Sequence, residues 1–216
     1  LLQASGVSIL LFERQVLARD FLAILRESEP AIDTAVPGKL ATPHYPYLRR
    51  LVMVGDGEAT GAVESWDAFL AHGAAVAPAQ VEARAAMVHP SDPALLFFSS
   101  GSTGKPKGIL NAHRGVCVQS WRWVRVYATD HPWRFWSANG LFWSGNFSLA
   151  MGGTFAAGGT LVLQRTFQPA EAIRLFEAER VTFPYCWPHQ WAQLEAEPAW
   201  AGADLSSFWY IDAEVM

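Results

Sequence analysis

Charge and cysteine are both scarce in this chain, and each shortage excludes something. Only 17% of the 216 residues are charged, and the 16 Lys and Arg are scattered and outnumbered by 20 Asp and Glu, for a net charge of -4. Affinity for a phosphate backbone comes from clustered cations, so a general nucleic-acid binder is excluded and a small-molecule partner is favoured. The two cysteines, Cys117 and Cys186, lie far apart and in no metal-ligand spacing. That excludes a disulfide framework and a zinc site and suits a reducing cytoplasm. The sequence carries no internal repeat and no low-complexity tract. It has no initiating methionine, and its opening LLQASGVSILLFERQ has no basic segment ahead of an apolar one, so it reads as neither a signal peptide nor a natural beginning. The chain is expected to be cut from something longer.

What is present is an ordinary globular composition, 51% hydrophobic, in a chain long enough for a real core. From Phe135 to Gln164 no charged residue occurs, a run longer than the roughly 20 apolar residues a bilayer requires. A membrane span is nevertheless rejected. Six glycines between Gly140 and Gly159 interrupt the run, Asn139 and Asn146 would sit in lipid, and TLVL at its end reads as a strand. A buried helix followed by a buried strand is expected there.

Apolar runs alternate with amphipathic stretches along the whole chain. Strands are expected at Val7 to Phe12, Leu51 to Val54, Ala94 to Phe98, Trp133 to Ser137, Thr160 to Leu163, Val181 to Tyr185 and Phe208 to Ile211. Helices are expected at Gln15 to Arg26, Trp66 to His72, Ala112 to Tyr127, Phe142 to Phe155, Ala170 to Arg180 and His189 to Glu197. Continuous apolar strands such as LLFF and TLVL suit sheets buried on both faces, so the fold class is α/β, with layered, parallel-rich sheets and helices on both faces. Val36 to Pro46 and Val76 to Pro93, rich in Pro, Ala and Gly, read as loops, and the second is the candidate subdomain boundary.

The stretch ALLFFSSGSTGKPKGILNAH sets a strand before Ser99, Ser100, Gly101, Ser102, Thr103, Gly104, Lys105, Pro106, Lys107 and Gly108, with a helix expected after them. Glycines let backbone N–H groups turn toward an anion, hydroxyls donate further hydrogen bonds, and lysines offset phosphate charge, so the loop is a polyphosphate cradle by chemistry alone. It is not a Walker A loop: Gly101 and Gly104 are too close, and Lys105 precedes a proline. A serine-hydrolase elbow is likewise absent, because Ser144 lies directly between Trp143 and Gly145.

The ten positions from Ser99 to Gly108 resemble, without a departure, the signature loop of the adenylate-forming superfamily, which includes acyl-CoA synthetases, luciferases and nonribosomal adenylation domains. The resemblance runs from about Gly6 to Phe208. GLFWSGNFSLAMGGTFAAGGTLVL looks like the family's next conserved region, and QPAEAIRLFEAERVTFPYCWPHQWAQL followed by DLSSF is similar to its helix, strand, helix and Leu-Ser-Ser segment. The chain is thereby identified as a partial N-terminal domain, residues 1–216, of an acyl-CoA synthetase-like enzyme.

The resemblance implies that a carboxylate is activated with ATP and Mg²⁺ as an acyl-adenylate and then passed to coenzyme A. It implies phosphate contacts from Ser100, Gly101, Ser102, Thr103, Gly104 and Gly108, with Lys107 as the principal and catalytic cation, Ser99 as a Mg²⁺ ligand, and Trp143 and Gly145 at the substrate pocket. Lys105 is expected to be exposed, and His113 to sit at a helix start. The remaining histidines show no pairing with Asp or Glu in the sequence. The family's later motifs are absent: its Thr-Glu segment, ribose-binding Asp, hinge and terminal-domain Lys. YIDAEVM also lacks the Gly-Gly pair often seen after the corresponding strand. The 216 residues alone are therefore expected to be inactive. Loading of a carrier protein, luciferase-like oxidation or a non-catalytic nucleotide-binding module are the alternatives.

Overall fold

The computed structural model describes residues 1–99, 104–127 and 132–209. It divides into two compact units, residues 1–88 with 98–108, and residues 89–97 with 109–216.

The first unit opens with a short helix α1 (Leu2–Ser5) and strand β1 (Ile9–Glu13). The Gln15 to Arg26 stretch expected as one helix is instead a hairpin, β2 (Gln15–Val16) and β3 (Arg19–Asp20), followed by helix α2 (Phe21–Ser28). Its physical reason is Asp20, whose Oδ1 accepts a hydrogen bond from the Ala23 N–H at 2.9 Å and so starts the helix there. Strand β4 (Arg50–Val54) lies between β1 and β5 (Val63–Ser65), and both pairings are parallel. Leu51, Met53 and Val63 pack against Leu22 and Leu25 of α2 and against Ile32, Leu40 and Leu48. Helix α3 (Trp66–Ala71) follows β5, capped by Ser65, whose hydroxyl accepts from the Ala68 N–H at 3.2 Å. Val76 to Pro93, expected to be a loop, contains helix α4 (Pro78–Ala86). The Pro and Ala content that suggested a loop is what a helix start tolerates and a helix interior prefers: Pro78 is the first helical residue, and alanines fill the turns.

The second unit is built on a three-stranded parallel sheet in which β8 (Arg134–Ser137) lies between β10 (Phe183–Tyr185) and β9 (Thr160–Val162). Among the described residues β10 pairs with β8 alone, so Pro184, which has no N–H to donate, is admitted on the side that carries no described partner strand. Alternation along β8 sends neighbouring rings to opposite faces. Trp136 packs with Ala172, Ile173 and Phe176 of helix α8 (Pro169–Ala178) and Leu194 of helix α9 (Pro188–Glu195). Phe135 packs with Phe183, Trp133, Leu149 and Ala150. Helices thus cover both faces, as expected. The charge-free run is helical from Ser144 to Ala156, in the pieces α6 (Ser144–Asn146), a π-helical turn (Phe147–Gly153) and α7 (Thr154–Ala156), and β9 follows.

The LLFF run does not belong to this sheet. It lies in β6 (Pro93–Ser99), half-buried and paired, among the described residues, with β7 (Lys107–Ala112) alone. Of TLVL, Thr160 to Val162 form β9, which pairs with β8 alone among the described residues, and Leu163, just past the strand, is exposed. The doubly buried runs are RLVMV and the Phe135-Trp136 pair of β8. Helix α5 (His113–Tyr127) follows β7 directly. Phe208 and Trp209 lie outside any strand, and Tyr210 and Ile211 lie outside the described residues. No helix among the described residues is long and apolar enough to cross a membrane.

Candidate functional site

The loop that the sequence singles out joins β6 to β7, so Lys107 and Gly108 are the first residues of a strand rather than the lead-in to a helix. Ser99 ends β6 with an exposed side chain, and Lys105 and Lys107 are both exposed and form no ion pair with a described residue. Gly104 adopts φ +77°, and a Cβ there would meet open space, so the requirement for glycine is conformational and worth about 1 kcal/mol. Ser100, Gly101, Ser102 and Thr103 lie outside the described residues. His113 is the first residue of α5, as expected.

Both ends of this segment are fixed by one aspartate. Asp92 Oδ2 accepts from the His89 N–H at 2.8 Å, and its carbonyl accepts from the His113 N–H at 3.1 Å. The Arg114 N–H adds a bond to the Pro90 carbonyl at 2.9 Å. The turn that launches β6 is thereby tied to the first turn of the helix that follows β7.

Beside β6 and α5 lies a cavity of about 350 Å³ in the second unit, within the roughly 300–1,000 Å³ range of small-molecule sites. Its apolar wall includes Leu95, Val116, Trp123 and an edge-to-face pair, Phe97 and Phe147, with ring centroids 5.5 Å apart. Asn111, Gln119, Ser144 and Ser148 bring polar groups to it, and Gly115 and Gly145 line it without side chains. Gly145, implied at the substrate pocket, is therefore part of the cavity. Trp143 is not among the lining residues; it precedes α6, is 62% exposed and lies against Phe142 at 5.2 Å.

The entrance to this helical stretch is organised by Asn146, which is buried. Its Oδ1 accepts from Ser137 Oγ at 3.0 Å, and its Nδ2 donates to the carbonyls of Asn139 at 2.7 Å and Gly140 at 3.3 Å. Sequence reasoning placed Asn146 only as an obstacle to a membrane span. An amide in a charge-free apolar run was the signal for a structural role, and of the run's two asparagines Asn146 is the buried one. Gly115, Gln119 and Trp123, at i, i+4 and i+8 on α5, form one helical face, and that spacing was legible too.

Two histidines expected to be unpaired do have acidic partners. His44 Nδ1 lies 3.0 Å from Glu29 Oε2, and His72 Nε2 lies 2.9 Å from Glu64 Oε2. Glu64 also receives Arg50 at 2.5 Å, and Glu29 also receives the Thr42 hydroxyl and the Ala31 N–H. These pairs satisfy two buried carboxylates within the first unit. Burial pushes the Cys186 thiol up to about 12, so it stays protonated as a core residue. Among the described residues no group of three His, Cys, Asp or Glu side chains could hold a metal ion, and Ser99 by itself offers a single hydroxyl. Those residues do not by themselves make a magnesium site.

A family model described as AMP-binding enzyme matches residues 2–211. The chain belongs to the AMP-binding enzyme family. Among curated proteins it is 35% identical over 162 residues to 3-[(3aS,4S,7aS)-7a-methyl-1,5-dioxo-octahydro-1H-inden-4-yl]propanoyl:CoA ligase of Mycobacterium tuberculosis, covering 75% of this chain and 31% of that protein. It is 35% identical over 121 residues to feruloyl-CoA synthase of an Amycolatopsis species, covering 54% of this chain and 24% of that protein. The chain thus spans about a third or less of the length of these two relatives. The fold matches the crystal structure of an anthranilate CoA ligase in complex with anthranoyl-AMP with a TM-score of 0.68 at 20% identity, over 96% of this chain and 36% of that one.

Proposed function

We propose that the protein carrying this chain is an AMP-forming acid–thiol ligase that joins a carboxylic acid to coenzyme A at the expense of ATP. The observation that carries this reading is the uninterrupted signature loop from Ser99 to Gly108, held between β6 and β7 in a chain that belongs to the AMP-binding family. The names of the relatives, a propanoyl:CoA ligase and a feruloyl-CoA synthase, favour coenzyme A over a carrier protein as acceptor.

In this reading the loop receives the β- and γ-phosphates, with its backbone N–H groups and hydroxyls as donors and Lys107 as the cation that offsets charge released with pyrophosphate. Such stabilisation is the main catalytic task when a carboxylate displaces pyrophosphate, because positioning and electrostatics dominate phosphate substitution. Magnesium would come with the phosphates of ATP, and the Ser99 hydroxyl would contribute one oxygen ligand to it. The acid lies along the cavity that Gly145 lines. A cytoplasmic location suits a protein that consumes ATP and coenzyme A and keeps its cysteines free.

The test is carboxylate-dependent ATP–pyrophosphate exchange, followed by AMP release with and without coenzyme A, by the protein expressed from its entire reading frame. Exchange with at least one acid, and AMP release stimulated by coenzyme A, are the expected results. ATP binding with no exchange for any fatty, aryl or short-chain acid would sink the ligase and leave a nucleotide-binding module.

A further inference from the structure

Ligands of parallel α/β sheets settle outside the carboxyl ends of the strands, where the order of the strands reverses. In the second unit that place lies between β8 and β10. From β8 the chain proceeds to β9 on one side, then crosses back to set β10 on the other. The chain leaving β8 passes to the face of Phe135, where Leu149 and Ala150 pack, and the chain leaving β10 passes to the face of Trp136, where Leu194 of α9 packs. The Ala138 N–H donates to the Tyr185 carbonyl at 3.0 Å, which keeps the two strands joined up to that mouth. Three aromatic residues follow on the two departing segments, Phe142 and Trp143 after β8 and Trp187 after β10, and all three are exposed.

The segment after β8 is fixed by one buried amide. Asn146 spends its whole side chain on it, through Ser137 Oγ and the Asn139 and Gly140 carbonyls, and the same serine hydroxyl accepts from the Asn139 N–H at 3.1 Å. A Cβ on Gly140 would collide with the Phe142 ring, so that ring lies directly on the backbone that Asn146 holds. The Trp143 ring lies against Phe142, its N–H donates to the Gly140 carbonyl at 3.4 Å, and its carbonyl accepts from the Phe147 N–H at 2.8 Å. Trp143 is also the neighbour in sequence of Ser144 and Gly145, which line the cavity assigned above to the acid. For stability alone this arrangement is poor, because it desolvates an amide while leaving two rings in water. For binding it is well suited, since a ring already held in place loses little conformational freedom when a ligand covers it.

We infer, resting on the ligase reading above, that Asn146 is a positioning residue: it fixes the turn that carries Phe142 and Trp143, and the Trp143 ring is the wall against which the acid is aligned for attack on ATP. The test is a double-mutant cycle on pyrophosphate exchange by the protein from its entire reading frame. The acid is whichever of acetate, hexanoate, palmitate, benzoate and phenylpropanoate the unaltered protein exchanges fastest, at a temperature where circular dichroism shows each variant folded. Trp143→Ala and Asn146→Ala should each lower kcat/KM for the acid by about tenfold or more, as misalignment of a reacting group does. KM for ATP should move by less than about twofold, whereas general loosening of the fold would move both substrates together. In the Trp143→Ala background, Asn146→Ala should cost less than about threefold further, because the ring it positions is gone. Ser137→Ala removes only the hydroxyl contacts; it should give a smaller loss with the same coupling to Trp143, and it carries the test if Asn146→Ala does not fold. Losses that multiply in the double variant, a KM for ATP that rises in step with that for the acid, or unaltered kinetics in Trp143→Ala overturn the inference and leave a working ligase in which Asn146 is structural. Exchange by the unaltered protein with none of the five acids overturns the ligase reading itself, and this inference with it.

Discussion

Glu29 shows how much a single side chain depends on neighbours that sequence proximity does not reveal. It caps the turn at Pro30–Asp33 through the Ala31 N–H, and it receives the Thr42 hydroxyl and the His44 ring while almost wholly buried. The Thr42 hydrogen bond, partly opposed by burial and assisted by the Ala31 N–H and His44, holds its carboxyl below the ordinary glutamate value of 4.5. A carboxylate with a depressed folded-state value stabilises the fold above its unfolded value, and that contribution is lost as pH falls through the folded one. Unfolding free energy should therefore hold steady above about pH 5.5 and decline below about pH 4.5. Thr42→Val removes the leading contact at nearly constant volume. It should lower stability near neutrality by about 1–2 kcal/mol and by progressively less as pH approaches 3, in denaturant titrations followed by circular dichroism. An equal deficit at every pH would remove Thr42 as the cause. None of this was legible in the sequence, because Thr42 and His44 stand 13 and 15 residues from Glu29 and only the fold brings them together.

At the level of elements, legibility followed periodicity and failed where capping or composition decided. The strands around Leu51 to Val54 and Trp133 to Ser137, and the helices of the second unit, stood out because their apolar spacing is long and regular. The hairpin at Gln15 to Asp20 was hidden because its residues continue a helical pattern, and only Asp20, with its capping oxygen, marks the true start. Helix α4 was hidden by Pro and Ala read as loop formers. The loop of the candidate site was fully legible as a string of residue types, whereas the strand that follows it, Lys107 to Ala112, was not. The start of the helical stretch from Ser144 rests on Asn146 in a way that can be measured. Asn146→Ala would leave the Ser137 hydroxyl and the Asn139 and Gly140 carbonyls without this partner, a loss of about 2–3 kcal/mol. The melting temperature should fall by roughly 5–10 °C, and hydrogen exchange should quicken across residues 137–145. Unchanged protection of that segment would mean that other contacts hold it.

On the scale of the whole chain, the net charge of -4 that these 216 residues carry sets a problem for the nucleotide that the proposed function requires. ATP is a polyanion, and the long-range field of an acidic chain opposes its approach. Screening confines that field to about 8 Å at physiological ionic strength, so local cations within the loop must supply the attraction. Lys105 and Lys107 are both exposed and unclaimed by any described carboxylate, yet the proposed roles separate them. Lys107 begins β7 and is held by the strand, whereas Lys105 lies in the turn before Pro106. A cation held by a strand keeps its place over a bound phosphate at less entropic cost than one on a turn. Lys107→Ala should therefore weaken ATP binding by about tenfold, and Lys105→Ala by less than about threefold, near physiological salt. Raising salt from about 50 to 500 mM should weaken ATP binding to the unaltered protein more steeply than to the Lys107→Ala variant, since the screened contact is already gone. Calorimetric titration of the protein from its entire reading frame reads both quantities. Equal affinities, or parallel salt dependences for the Lys107→Ala variant and the unaltered protein, would place the phosphate grip elsewhere in the loop.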